Sequence, residues 1–123
     1  MWKSALTMVL VVTGGLLVVG PASAGDAANG EKVFKKCKAC HALEAGKNKV
    51  GPSLAGIVGA KAGSVEGYKY SKAMAGSDVV WDEANLDAYL TKPKDFMKGT
   101  KMSFAGLKKE EDRVDVIEYL KQH

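Results

Sequence analysis

Arginine is almost missing from this chain of 123 residues: Arg113 stands alone, and no Arg-rich run or interleaving of basic with aromatic residues occurs. A nucleic-acid interface normally shows such a stripe, so the formal net charge of +4 points to an anionic partner surface and away from nucleic acid. Histidine is scarce as well, limited to His41 and His123, and cysteine to Cys37 and Cys40. With no second C-x-x-C pair and no pair of closely spaced histidines, the four ligands of a structural zinc site cannot be assembled from a recognisable pattern. Internal repeats and low-complexity runs are also lacking, and few strands are expected.

One long apolar run does exist, at the start. Residues 1 to 24, MWKSALTMVLVVTGGLLVVGPASA, carry Lys3, an apolar stretch from Ala5 to Val19, and small residues ending at Ala24. This is the layout of a secretory signal peptide cleaved after Ala24. A retained membrane anchor is the competing reading, but the run is short and broken by Thr13, Gly14 and Gly15. Residues 25 to 123 are then expected to form a single domain in the periplasm.

Within that domain the helix signals are short. Asp26 can cap a helix through Val33, Phe34 and Cys37; Ser71 to Gly76 can form one turn; and Asp82 can cap a helix with Leu86, Tyr89 and Leu90 on one face. Pro93 stops that helix and can start another through Phe96 and Met97. The last helix, about Lys109 to Gln122, carries Glu110, Glu111 and Asp112 in its first turn and turns Val116, Ile117 and Leu120 inward. Between them, Gly46, Gly51, Pro52, Gly56, Gly59 and Gly63 mark loops, with at most one turn near Leu54 to Val58. The expected fold is all-α with long loops. Helices this short bury little against one another, so an apolar body is expected to fill the middle.

The sequence Cys37-Lys38-Ala39-Cys40-His41 supplies the means of holding such a body. C-x-x-C-H is the attachment pattern for a c-type haem: two thiols one turn apart bond the two vinyl groups of the porphyrin, and the following imidazole is placed to ligate the iron. A thioredoxin-like redox pair would follow a buried strand, which is not seen before Cys37. A plain disulfide suits an exported chain but leaves His41 unexplained. For the second face of the iron the chain offers Met74, Met97 and Met102, with His123 remote. Met102 stands out because it lies in GTKMSFAG, a loop bounded by Gly99 and Gly106. Met74 and Met97 are expected to be core filler.

Residues 27 to 121 resemble a class I cytochrome c of the mitochondrial type, a group that includes small bacterial electron carriers. The resemblance rests on CKACH, on GPSL at 51 to 54, on YKYS at 68 to 71 with Trp81, and on YLTKPKDF and GTKMSFAG at 89 to 96 and 99 to 106. It implies the small cytochrome c fold wrapped around one haem, attached through Cys37 and Cys40 and ligated by His41 and Met102. Pro52 would then accept a hydrogen bond from the His41 ring. Tyr70 and Trp81 would line the haem propionates, Tyr89 would sit near the thioether, Thr100 near a propionate, and Phe104 over the ring edge. Gly30, Phe34, Tyr119 and Leu120 resemble the family's crossing of terminal helices. Two departures are Ala60, where the family usually has an arginine near a propionate, and Met74, where mitochondrial relatives have asparagine.

Such a chain is expected to be a monomeric single-electron carrier and not an enzyme. Lys36, Lys38, Lys94, Lys98 and Lys101 would steer it to acidic docking surfaces on redox partners such as a membrane cytochrome complex, an oxidase or a reaction centre. A peroxidase-like or gas-binding haem protein with a labile distal ligand is the alternative.

Overall fold

Asp26 opens the first helix, α1 (Ala27–Phe34), by accepting hydrogen bonds from the backbone N–H groups of Ala28 and Asn29 at 2.9 and 3.3 Å. The computed structural model describes residues 14–15 and 25–123. The expected cleavage after Ala24 falls outside the described residues. Four more helices follow: α2 (Lys72–Ala75), α3 (Glu83–Thr91), α4 (Pro93–Phe96) and α5 (Glu110–Leu120). Among the described residues there is no strand, only an isolated bridge between Lys61 and Val80. The all-α fold expected from the sequence is the fold observed.

Helix starts follow the capping chemistry. Ser71 caps α2 by accepting from Met74 N–H at 3.1 Å, and Asp82 caps α3 by accepting from Asn85 N–H at 2.8 Å. Pro93 occupies the first position of α4, where a missing N–H costs nothing. Three helix ends differ from expectation, α4 stopping at Phe96, one residue short of Met97. α1 stops at Phe34 and not at Cys37, because the chain tightens into three-residue turns: Cys37 N–H donates to Phe34 carbonyl at 2.8 Å and Cys40 N–H to Cys37 carbonyl at 3.1 Å. α5 likewise ends at Leu120, with Gln122 N–H reaching the Tyr119 carbonyl at 3.1 Å.

The core is built where α1 crosses α5. Val33, Phe34, Val116, Ile117 and Leu120 are buried there, each contributing roughly 1.5–3 kcal/mol of transfer free energy. The approach is close at Gly30, where a Cβ would collide with the Asp115 carbonyl and lie 2.8 Å from Tyr119 Cβ. The Phe34 and Tyr119 rings meet at 5.5 Å beside it. Buried Asp115 ties the junction: its carboxylate accepts from Asp26 N–H at 2.8 Å and Asn29 Nδ2 at 2.6 Å.

Arg113 secures the other side of α5. Its Nε donates to Asp87 of α3 at 2.7 Å, and its guanidinium also donates to the carbonyls of Leu107 and Lys108. The side chain is only 11% exposed, so the bond is screened less than a surface pair. Helices α1, α3 and α5 thus form a frame. The loops 35–70 and 97–109 close over one side of it.

Candidate functional site

Between the frame and those loops lies a cavity of about 590 Å³. Leu86 and Leu90 of α3, Val116 and Leu120 of α5, Phe34 of α1, and Leu54 and Ile57 of the loop after Pro52 give it apolar walls. Helices that turn their inward faces toward a shared space, and not only toward one another, explain how so small a frame is filled.

The attachment turn forms one part of the wall. Cys37 is partly buried and Cys40 exposed, and both are free thiols. Burial pushes the Cys37 thiol above its ordinary range, the neighbouring Cys40 adds to this, and Lys36 opposes it. After Cys40 the chain is stitched to the proline loop: Gly51 N–H donates to Cys40 carbonyl at 2.8 Å and Leu54 N–H to Ala42 carbonyl at 2.9 Å. Buried Ser53 braces that loop by donating from Oγ to Glu44 carbonyl at 2.6 Å.

His41 Nδ1 lies 2.7 Å from the Pro52 carbonyl oxygen. A carbonyl only accepts, so Nδ1 carries the proton and Nε2 keeps the lone pair. Burial holds the imidazole below its usual range, the bond to Pro52 raises it again, and Lys49 lowers it. The neutral, ligating form is therefore favoured near pH 7.

The loop from Gly99 to Gly106 supplies Thr100, Met102 and Phe104 to the same cavity. Its far end is clamped to α3. Leu107 N–H donates to the Leu90 carbonyl at 2.7 Å, and Gly106, at φ +110, passes so near the Thr91 carbonyl that any Cβ would collide with it. Inside the loop, Thr100 Oγ1 sits 2.8 Å from Tyr89 Oη and accepts from Met102 N–H at 3.3 Å. Tyr89 is itself packed against Trp81 at 4.9 Å and Phe96 at 5.9 Å. Burial raises its phenol above the ordinary tyrosine range, and the Thr100 bond offsets part of that. Tyr70 accepts from Val65 N–H at 3.0 Å through its hydroxyl and packs edge-on against Tyr68 at 4.8 Å.

All ten residues singled out in the sequence as cofactor-binding, Cys37, Cys40, His41, Pro52, Tyr70, Trp81, Tyr89, Thr100, Met102 and Phe104, line this one cavity. The other candidates divide. Met97 is buried in the core at the end of α4 and takes no part in the cavity wall, whereas Met74 lies in the wall. His123 packs on Tyr119 at 4.7 Å, and its carbonyl accepts from Gly56 N–H. Among the lysines, Lys36 and Lys101 border the cavity, while exposed Lys38, Lys94 and Lys98 do not. Lys61 and Lys69 border it too and were not anticipated. Lys61 follows Ala60 directly, so a cation is present next to the position that lacks the arginine.

These residues fit a flat, apolar macrocycle bearing acidic groups. The wall offers two thiols on adjacent turns suited to covalent attachment, a neutral imidazole with its lone pair free, the thioethers of Met74 and Met102, and hydroxyl and ammonium groups suited to carboxylates.

Comparison with known proteins gives a consistent picture. The family model described as cytochrome c matches residues 27–123. Cytochrome c2 iso-2 of Magnetospirillum molischianum is 56% identical over 88 residues, covering 72% of this chain and 91% of the relative. Cytochrome c2 of Rhodomicrobium vannielii is 52% identical over 99 residues, covering 80% and 79%. Among solved structures, cytochrome cH from Methylobacterium extorquens is similar with a TM-score of 0.76 at 49% identity, covering 80% of this chain and all of that one.

Proposed function

As a member of the cytochrome c family the chain is an electron-transfer protein with one covalent c-type haem, and we propose that it is a periplasmic carrier whose iron is held by His41 and Met102. When bound, the haem supplies a redox-active iron that exchanges one electron at a time. The single observation that carries the reading is the His41–Pro52 hydrogen bond: it fixes the ring and its tautomer, so that Nε2 is the free donor in a cavity that Met102 also lines.

The chain's own groups account for the rest. Cys37 and Cys40 would hold the haem covalently, and Pro52 orients the imidazole. Thr100 holds the backbone of Met102, and Tyr89 holds Thr100. His41 and Met102 would hold the iron, and the apolar wall would keep water and small molecules from it. The soft thioether favours the reduced state, as does the apolar wall. Export through the leader of residues 1 to 24 and cleavage after Ala24 would deliver residues 25 to 123 to the periplasm, as a monomer. There Lys36, Lys69 and Lys101 at the cavity edge, with Lys38, Lys94 and Lys98 beyond it, would meet acidic docking surfaces.

The test is the visible spectrum and midpoint potential of the oxidised holoprotein. The reading requires the weak long-wavelength sulfur-to-iron band in the native protein and a change in band and potential when Met102 is replaced. A high-spin native spectrum without that band overturns it in favour of a peroxidase-like or gas-binding protein. So does a Met102 variant identical to the native protein.

A further inference from the structure

We propose that Met74 is a second sulfur donor to the same iron, taking the place of Met102 when that residue is withdrawn. The inference rests on the reading of Met102 as ligand.

Among the described residues, Met74 and Met102 are the two thioethers in the cavity wall, and each is partly buried. Their segments are fastened to each other. Lys101, next to Met102, donates from Nζ to the Lys69 carbonyl at 2.9 Å. Gly99, at the start of the methionine loop, lies close enough to α2 that a Cβ on it would touch Ala73 Cβ at 3.5 Å. Met74 is held in that helix by its N–H bond to Ser71 Oγ, and its carbonyl abuts Gly63, where a Cβ would come within 2.9 Å. Met74 therefore belongs to the part of the wall that the methionine loop rests on. Met97 has no such place, being enclosed at the end of α4.

Chemistry favours Met74 over the lysines nearby. Lys69 and Lys101 border the same cavity, but an ammonium must lose a proton before it can donate a lone pair. A thioether carries no proton. Exchange of Met102 for Met74 breaks one sulfur–iron bond and makes another, with no net change of charge, proton or electron. It is accordingly independent of pH where lysine ligation is not.

The experiment compares the oxidised holoproteins of Met102→Ala, Met74→Leu and the double variant near pH 7, by spectrum and by titration with imidazole. Leucine keeps the bulk of Met74 and removes its sulfur, and circular dichroism checks that each variant is folded. The expected result is a sulfur band displaced but present in Met102→Ala, present in Met74→Leu, and lost in the double variant. Imidazole should bind Met102→Ala about tenfold more weakly than the double variant, because an internal ligand occupies the site roughly nine parts in ten. If Met102→Ala has no sulfur band and binds imidazole as tightly as the double variant while the native protein keeps its band, Met74 is no ligand and Met102 stands. If Met102→Ala matches the native protein in band and potential, the Met102 reading falls and this inference with it. Should Met102→Ala fail to fold, Met102→Leu is judged by the same outcomes.

Discussion

The imidazole of His41 and the α-carbon of Gly51 share a space with no room for one more methyl group. A Cβ on Gly51 would lie 2.7 Å from Nδ1 and 2.9 Å from Nε2. Gly51 also donates to the Cys40 carbonyl, so it cannot retreat without pulling on the attachment turn. Gly51→Ala is therefore expected to cost about 1–3 kcal/mol by overpacking. It should also tilt the His41 ring off the Pro52 carbonyl. Thermal unfolding of the holoprotein reads the first effect, and a shifted haem spectrum the second; a variant unchanged in both would mean the loop yields freely.

Asp115 is expected to matter more than a surface carboxylate would. It is buried and accepts from Asp26 N–H and Asn29 Nδ2, across the junction of α1 and α5. Asp115→Ala leaves both donors without their acceptor, at a cost of about 1–3 kcal/mol. Urea unfolding should show a lower midpoint with an unaltered slope.

Tyr89 sets an alkaline limit. Burial raises its folded-state value above the ordinary 10.0, so the neutral phenol is the form the fold favours. Below that ordinary value both states are protonated and the group contributes no pH dependence. As pH rises through it, the unfolded chain releases a proton that the folded chain retains, and stability falls until the folded-state value is reached. Tyr89→Phe should give up the bond to Thr100, about 1 kcal/mol near neutrality, and then lose less stability than the native protein above about pH 10. Unfolding free energies measured at several pH values for both proteins decide it; parallel curves would remove Tyr89 from the account.

Docking through lysines carries a salt signature. Lys36, Lys69 and Lys101 border the cavity, so their charge lies at the edge of the proposed haem site. Electron-transfer rates with an acidic partner are expected to fall as ionic strength rises, because the Debye length shrinks from about 30 Å at 0.01 M to about 10 Å at 0.1 M. Reversing Lys36 to Glu should slow association at low salt and leave the potential nearly as it was. A rate independent of salt would exclude electrostatic steering.

Much of this site was legible in the sequence because its chemistry is local. Cys37, Cys40 and His41 declare themselves by spacing and Met102 by its glycine-bounded loop, whereas the place of Pro52 beside His41 followed only from the family resemblance. The helix caps Asp26, Ser71 and Asp82 act within three residues of themselves, so they too could be read directly. Met74 and Met97 could not be told apart, since each is a methionine near the end of a short helix. Only packing sends one to the core and the other to the cavity. Lys61 and Lys69 were hidden for a like reason, since charge on a loop does not say what the loop encloses. The end of α1 at Phe34 was missed because tightening into three-residue turns leaves no compositional mark.

The crossing of α1 over α5 has a temporal meaning. The two helices stand at opposite ends of the described chain, and closing a loop of that length costs roughly 4 kcal/mol of chain entropy before any contact repays it. Synthesis proceeds from the amino end, so the CKACH turn emerges long before the helix that will pin it. The order of residues along the chain thus makes the terminal crossing the one step that must wait until the whole domain is present.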